Sequence, residues 1–477
     1  MIKWDQAQRY APYQSYSPAY LAGLQKQQRQ SAWHQGYHIQ PTSGLINDPN
    51  GFAYFNHQWH LFKQQFPFGP VHGLKSWGHL TSADLNHWSD LGTALTPHAP
   101  YTTHGVYSGS ALPVKDRLFL MYTGNVRTPA GGRKSTQLGA WMTKNGRITE
   151  LPAPLIAAPP SGYTAHFRDP QVLKHAGAYF ALIGAQRTDR KGQILVYKAP
   201  APTGPWRLIG PLDFGRTTLG YMIECPNLTL VDGKVVLLFC PQGMDQAVCP
   251  YPNRYPNTFV IAAGIDWQRA ALIAPGPLQL LDGGFDNYAA QVARGPRRES
   301  LVVSWMGLPD VTYPSDQEGW QGCYSLVRRL HIQNGRLTQT PLDAPLVGAP
   351  FAPLRDKLNL QEKLTISIPA TRSGRIRLGN AQEGLTLVVD GTANTLMIDR
   401  SQAGVPFAED AKATRTLHLD PGPHTFTLWL DHSSFELAVD CGQAFASGRI
   451  FPRDPTHWRL SCDAALGANI SGQRLAF

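Results

Sequence analysis

The chain has 477 residues, of which 42% are hydrophobic and only 16% charged, with 45 Gly and 39 Pro. That is too long for one ordinary domain and too rich in chain-breakers for a helical bundle, so two or three β-rich domains are expected. A formal charge of +10 invites a nucleic-acid partner, but the basic residues are scattered, with no run longer than Arg297-Arg298 or Arg328-Arg329, and no such partner is expected.

No stretch approaches a membrane span, and the N-terminus lacks an apolar leader core. The six cysteines show neither a C-x-x-C pair nor zinc spacing. The expectation is a cytoplasmic protein with reduced thiols, no membrane partner, no cofactor and no metal. Oligomeric state is not legible.

Residues 1–37 read as a helical extension. Ser17-Pro18-Ala19 opens a helix through Leu21, Leu24 and Gln28, because Pro suits a first helical position. From about residue 38 an irregular repeat begins, each unit a polar cluster, an alternating apolar strand, a polar turn and a second apolar strand. Its anchors at Asp48, Ser108, Asp169, Glu224 and Tyr288 fall 60, 61, 55 and 64 residues apart. Each interval has room for two further strands, such as Trp77–Ser82 and Ile194–Lys198. Four strands repeated five times predict an all-β, five-bladed β-propeller over 38–345. The anchors would then face one central channel, bringing Asp48, Asp169 and Glu224 together. A Pro-rich linker, Asp343–Pro353, leads into short alternating strands over 355–477, the pattern of a β-sandwich. The sandwich carries no acidic constellation, and a supporting role is expected for it.

Asn47-Asp48-Pro49-Asn50-Gly51, taken alone, is ordinary turn chemistry. Three carboxylates at one channel mouth need a task, since like charges brought together are costly. Glycosidic cleavage supplies one: a carboxylate beside the anomeric carbon, an acid on the leaving oxygen, and a third carboxylate to favour developing positive charge. Arg168 precedes Asp169 and would keep it ionised, while the apolar run around Glu224 (Tyr221-Met-Ile-Glu-Cys-Pro) would raise its carboxyl toward general-acid range. Read singly, these are also what a surface Arg–Asp pair and an edge-strand Glu look like.

Asn47–Gly51, Tyr107-Ser108-Gly109-Ser110, Phe167-Arg168-Asp169-Pro170, Glu224-Cys225-Pro226 and Phe285–Gln291 occur in that order. Together they resemble glycoside hydrolase family 32, the invertases and fructan hydrolases, across nearly the whole chain. The resemblance implies Asp48 as nucleophile on a fructosyl anomeric carbon, Glu224 as acid and then base, and Asp169 as transition-state stabiliser. It further implies a fructose pocket of Asn47, Gln64, Tyr107, Ser108, Arg168, Tyr288 and Trp305, with retention of configuration and a small-molecule sugar as the partner.

Phe66–Lys75, Tyr122–Arg127, Pro241-Gln-Gly and Ser304–Pro309 through Trp320 are similar to the branch that acts on sucrose 6-phosphate. Lys75, Arg127 and Arg133 are the expected phosphate contacts. Plain sucrose or short fructans as substrates, fructosyl transfer, and a non-catalytic fructoside-binding propeller stay open. One departure is Lys63, where the family usually has an aromatic before Gln64; it is expected to face away from the pocket.

Overall fold

In the computed structural model, which describes residues 4–128, 130–216, 219–408 and 412–475, the alternating runs pair as antiparallel strands into five blades. The first strands are Gly44–Phe55, Val106–Val114, Tyr163–His175, Met222–Val231 and Tyr288–Arg294. Each is followed outward by three more strands in chain order. First strands of neighbouring blades lie against one another in a closed ring, the fifth against the first. Trp320–Gln321, an excursion of the fifth blade, also pairs in parallel with Gly44-Leu45 of the first. The all-β propeller expected from the repeat is present.

Every first strand bulges at the same place. The register slips by one residue between Ile46 and Pro49, Tyr107 and Gly109, Arg168 and Gln171, Glu224 and Asn227, and Tyr288 and Gln291. An extra residue bends a strand and re-aims the side chains beside it. Asp169, Cys225 and Ala289 take up the bulge in left-handed backbone, with φ of 63°, 49° and 52°.

The shared bulge corrects the repeat alignment read from sequence. Asp48, Ser108, Asp169, Cys225 and Ala289 are equivalent, and so are Asn47, Tyr107, Arg168, Glu224 and Tyr288. Glu224 therefore stands one position earlier than the two aspartates.

The residues at the end of the bulge or one place past it, Asn50, Ser110, Gln171, Asn227 and Gln291, are all buried and polar. Each bonds the backbone of the following blade: Asn50 accepts from Gly109 N at 2.9 Å, Ser110 from Val172 N at 2.8 Å, Gln171 from Leu228 N at 2.6 Å, Asn227 from Val292 N at 3.2 Å, and Gln291 from Phe52 N at 2.8 Å. The ring is thus closed by side chains as well as by packing. Replacing Gln291 by Leu orphans the Phe52 N–H and the Gly109 carbonyl it also bonds. A loss of about 1–3 kcal/mol per orphaned group is expected, read as a lower Tm by calorimetry; an unchanged Tm would dismiss the girdle.

The chain then builds a sandwich of a six-stranded and a five-stranded sheet. The two share one core that includes Leu364, Ile366, Leu387, Ile398, Leu428 and Leu437. Pro18–Gln30 is the expected helix, capped by the Ser17 hydroxyl accepting from Tyr20 N at 3.1 Å. Ahead of it, residues 4–16 form an arm with two short helical turns, Gln6–Arg9 and Tyr13–Ser15. Among the described residues, no helix is long and apolar enough to cross a membrane.

Candidate active site

The bulges gather their residues at one end of the channel. Asp48, Asp169 and Glu224 line a single cavity of about 170 Å³ with Asn47, Gln64, Lys75, Tyr107, Ser108, Arg168, Tyr288 and Trp305. That is well below the ~300–1,000 Å³ of drug-sized sites and suits one small ring. Of the residues expected here, only Arg127 and Arg133 lie outside this cavity.

Asp48 is held at both oxygens. Ser108 Oγ donates to Oδ2 at 2.5 Å and Asn47 Nδ2 to Oδ1 at 3.0 Å. Asn47 Nδ2 also donates to Gln64 Oε1 at 2.5 Å, and Gln64 Nε2 to Ser108 Oγ at 3.1 Å, closing a ring of four side chains. Lys75 Nζ, buried, donates to Asn47 Oδ1 at 2.7 Å. Burial raises the Asp48 carboxyl above its ordinary value; the Ser108 bond opposes this and Glu224 adds to it. Burial also lowers the Lys75 ammonium to about 7, with Asp48 pulling it back up.

Lys75, expected as a phosphate contact, thus lines the same cavity as Asp48 and is bonded to Asn47. Lys63 faces away as expected, its ammonium paired with Asp90.

Asp169 and Glu224 depart from their expected settings. Burial pushes Asp169 up to about 7 despite Arg168, and Glu224 and Asp48 push the same way. Arg168 stands 4.0 Å from Asp169 Oδ2 but donates to Glu224 Oε1 through Nε at 2.9 Å and Nη2 at 2.6 Å. Glu224 is one position out of register with Asp169, which is why it meets the guanidinium. Its expected apolar surroundings are absent: Ile223 packs into a hydrophobic core with Leu182 and Val196, and Cys225 takes up the bulge. Oε2 instead accepts from Tyr288 OH at 2.6 Å and Gln242 Nε2 at 2.7 Å. Burial, then the Glu224 charge, holds the Tyr288 hydroxyl well above its ordinary value, so it stays a donor.

Cys225 sits between the aspartates, its Sγ 3.9 Å from Asp48 and 3.7 Å from Asp169, while its N–H donates to Asp169 Oδ2 at 3.1 Å. One donor atom from each of the three lies within 4.8 Å of the others, close enough to hold a metal ion; the hydrogen bonds described suit free carboxylates equally.

Trp305 packs against two glycines. At Gly322, with φ +85°, a Cβ would stand 2.2 Å from Ile46 O and 2.7 Å from the Trp305 Nε1, so only Gly fits.

Five lining residues are not among the expected site residues: Tyr10, His72, Gly73, Gln242 and Pro309. His72 and Gln242 sit in stretches already singled out, but Tyr10 comes from the N-terminal arm, which no motif marks. At the rim, Arg133 bonds His166 Nδ1 at 3.2 Å and lies over the Tyr107 ring at 5.9 Å. Arg127 lines an adjoining cavity.

A carboxylate pinned at both oxygens, facing a second one ringed by donors in a pocket sized for a sugar, is the apparatus of a glycoside hydrolase. The glycosyl hydrolases family 32 N-terminal domain matches residues 38–341 and the family's C-terminal domain residues 334–468. The sucrose-6-phosphate hydrolase of Pediococcus pentosaceus is 45% identical over 460 residues, covering 94% of this chain and 92% of that one. The structure of sucrose-6-phosphate hydrolase from Lactobacillus gasseri matches with a TM-score of 0.96 at 39% identity, covering 99% of both chains. The GH32 beta-fructofuranosidase of Bombyx mori matches at 0.82 and 26% identity, covering 96% and 97%. The chain belongs to glycosyl hydrolase family 32.

Proposed function

We propose that this enzyme hydrolyses sucrose 6-phosphate to glucose 6-phosphate and fructose by double displacement, with retention of configuration. The observation that carries the substrate is full-length similarity to sucrose-6-phosphate hydrolases at up to 45% identity, and a basic rim beside the sugar pocket supports it. Asp48 attacks the fructosyl anomeric carbon while the bond to the glucosyl oxygen breaks. Glu224 gives its proton to that oxygen, which requires Oε2 to exchange its Tyr288 or Gln242 contact for the leaving group. Water then attacks the fructosyl–Asp48 ester, Glu224 takes the proton, and fructose leaves. Asp169 steadies the fructose hydroxyls and the charge that develops.

Asn47, Gln64, Tyr107, Ser108, Tyr288 and Trp305 shape the fructose pocket, and Arg168 positions Glu224. Arg127 and Arg133 are the phosphate contacts, with Lys75 reassigned to orienting Asn47 and facing Asp48. A cytoplasmic location follows from the substrate, since sugar phosphates are kept inside cells by their charge.

The test is kcat/KM for sucrose 6-phosphate against sucrose in one buffer. A preference of tenfold or more is expected, about 1.4 kcal/mol of transition-state discrimination. Equal values would move the reading to plain sucrose or short fructans, and no fructose from either would end it.

A further inference from the structure

The rim holds a second cavity, of about 410 Å³, lined by Trp4, Gln6, Arg9, Tyr10, His72 and Arg127. Tyr10 and His72 also line the catalytic cavity, so the two are neighbours sharing a wall. Four of the six lining residues belong to the N-terminal arm, and none carries a carboxylate.

The arm is docked firmly enough to serve as part of a site. Leu74 N donates to Arg9 O at 2.7 Å and Tyr13 OH to Leu74 O at 2.8 Å. Tyr16 stacks on Phe68 with ring centres 4.0 Å apart and planes 4° from parallel, and Trp4 meets Phe66 edge-on at 5.8 Å. These contacts fasten the arm to the Phe66–Lys75 loop of the first blade, the same loop that carries His72 and Lys75 into the catalytic cavity.

Arg9 is left with donors to spare. Its Nε is engaged by Trp4 O at 3.1 Å, but its two terminal nitrogens have no protein partner among the described residues. Asp316, which lines a third cavity together with Arg9, bonds Gln321 and Tyr313 N instead. Arg127 likewise has no carboxylate partner among the described residues. Burial, then Lys75 and Arg9, holds the shared His72 well below its ordinary value, so His72 stays neutral and adds a hydrogen-bonding wall rather than a charge. Two arginines facing one polar, carboxylate-free cavity match a dianionic phosphate through bidentate, charge-assisted bonds.

We propose that the N-terminal arm is the element that reads the leaving-group phosphate, with Arg9 acting together with Arg127 across this cavity. The proposal rests on the sucrose 6-phosphate reading and adds a specificity residue that no propeller motif contains. It also explains why a catalytic pocket otherwise built from the propeller is walled on one side by Tyr10.

The test compares Arg9→Gln and Arg9→Lys with the wild-type enzyme, measuring kcat/KM for sucrose 6-phosphate and sucrose, and inhibition by glucose 6-phosphate and glucose. Arg9→Gln is expected to lower the sucrose 6-phosphate to sucrose ratio by roughly 10- to 100-fold, the scale of one charge-assisted bond to an anion. It is also expected to weaken inhibition by glucose 6-phosphate but not by glucose, and Arg9→Lys to restore part of both. A wild-type preference that survives Arg9→Gln overturns the arm's role and leaves the substrate standing. Equal loss on both substrates also overturns it, making Arg9 a mere prop for Tyr10. A wild-type ratio near one overturns the substrate reading itself, and the arm's role with it.

Discussion

Asp48→Asn is expected to lower kcat by roughly 10,000- to 1,000,000-fold, the scale of losing a covalent nucleophile, while leaving Tm unchanged or higher. An amide has the shape of the carboxyl but cannot form the fructosyl ester. The surrounding ring tolerates the exchange: Asn47 keeps its donor bond to the remaining oxygen, and the Ser108 hydroxyl can turn from donor to acceptor. The sign of the stability effect follows from burial. The Asp48 carboxyl is raised in the folded state above its ordinary value, so its ionised form at neutral pH opposes folding, and removing the charge removes that cost. Lys75, which partly offsets it, then faces one carboxylate fewer and bounds the gain. Thermal melts beside turnover of sucrose 6-phosphate decide the matter. Activity within tenfold of wild type sinks the nucleophile assignment, and lost activity with a collapsed Tm would show a structural role instead.

The sequence revealed the three carboxylates because the repeat that carries them is long and regular, and strand alternation survives turns of different length. It did not reveal their register. A bulge shifts facing by one residue without any compositional mark, so Glu224 was aligned with Asp48 and Asp169 when it belongs with Arg168 and Tyr288. The same shift explains the misjudged environments. Glu224 sits in an apolar run of sequence, yet its spatial neighbours are Arg168, Gln242 and Tyr288 from three other strands. Arg168 is adjacent to Asp169 in sequence but bonds Glu224. Tyr10 and Arg9 were illegible for a different reason: the arm shares no period with the blades, and only docking of its aromatics on Phe66 and Phe68 brings it to the site.

The sandwich contributes no residue to the lining of the cavity that holds Asp48, Asp169 and Glu224, but its acids matter where it meets the propeller. Arg328 of the fifth blade, 1% exposed, donates to Glu436 through Nε at 3.0 Å and Nη2 at 2.5 Å, to Ser447 Oγ at 2.7 Å and to Asp282 at 3.4 Å. Glu436 also accepts from Leu326 N at 2.6 Å and bonds His38, whose other nitrogen meets Asp431 at 2.8 Å. Arg328→Met removes the cation and strands two buried carboxylates, so a loss of about 3–5 kcal/mol is expected, seen as a Tm lower by several degrees or faster thermal inactivation. A shift of under a degree would show that the two domains hold together without this network.

The pH dependence has a definite sign. Burial alone would lower the His38 imidazole, but its bonds to Asp431 and Glu436 raise it to about 9. Its contribution is therefore complete below its ordinary pKa near 6.5 and fades as pH rises through about 9. Burial would raise Asp431 and Glu436, but His38 holds Asp431, and Arg328 with His38 holds Glu436, below their ordinary values. Their contribution is present above the ordinary carboxylate range near 4 and is lost only under stronger acid. The domain junction should thus be tightest between about pH 5 and 6.5 and weaken toward pH 9. His38→Gln, which keeps one donor but cannot titrate, should flatten the alkaline side of a Tm–pH curve while leaving the acid side set by the carboxylates. An alkaline decline identical in both proteins would place the titrating group elsewhere.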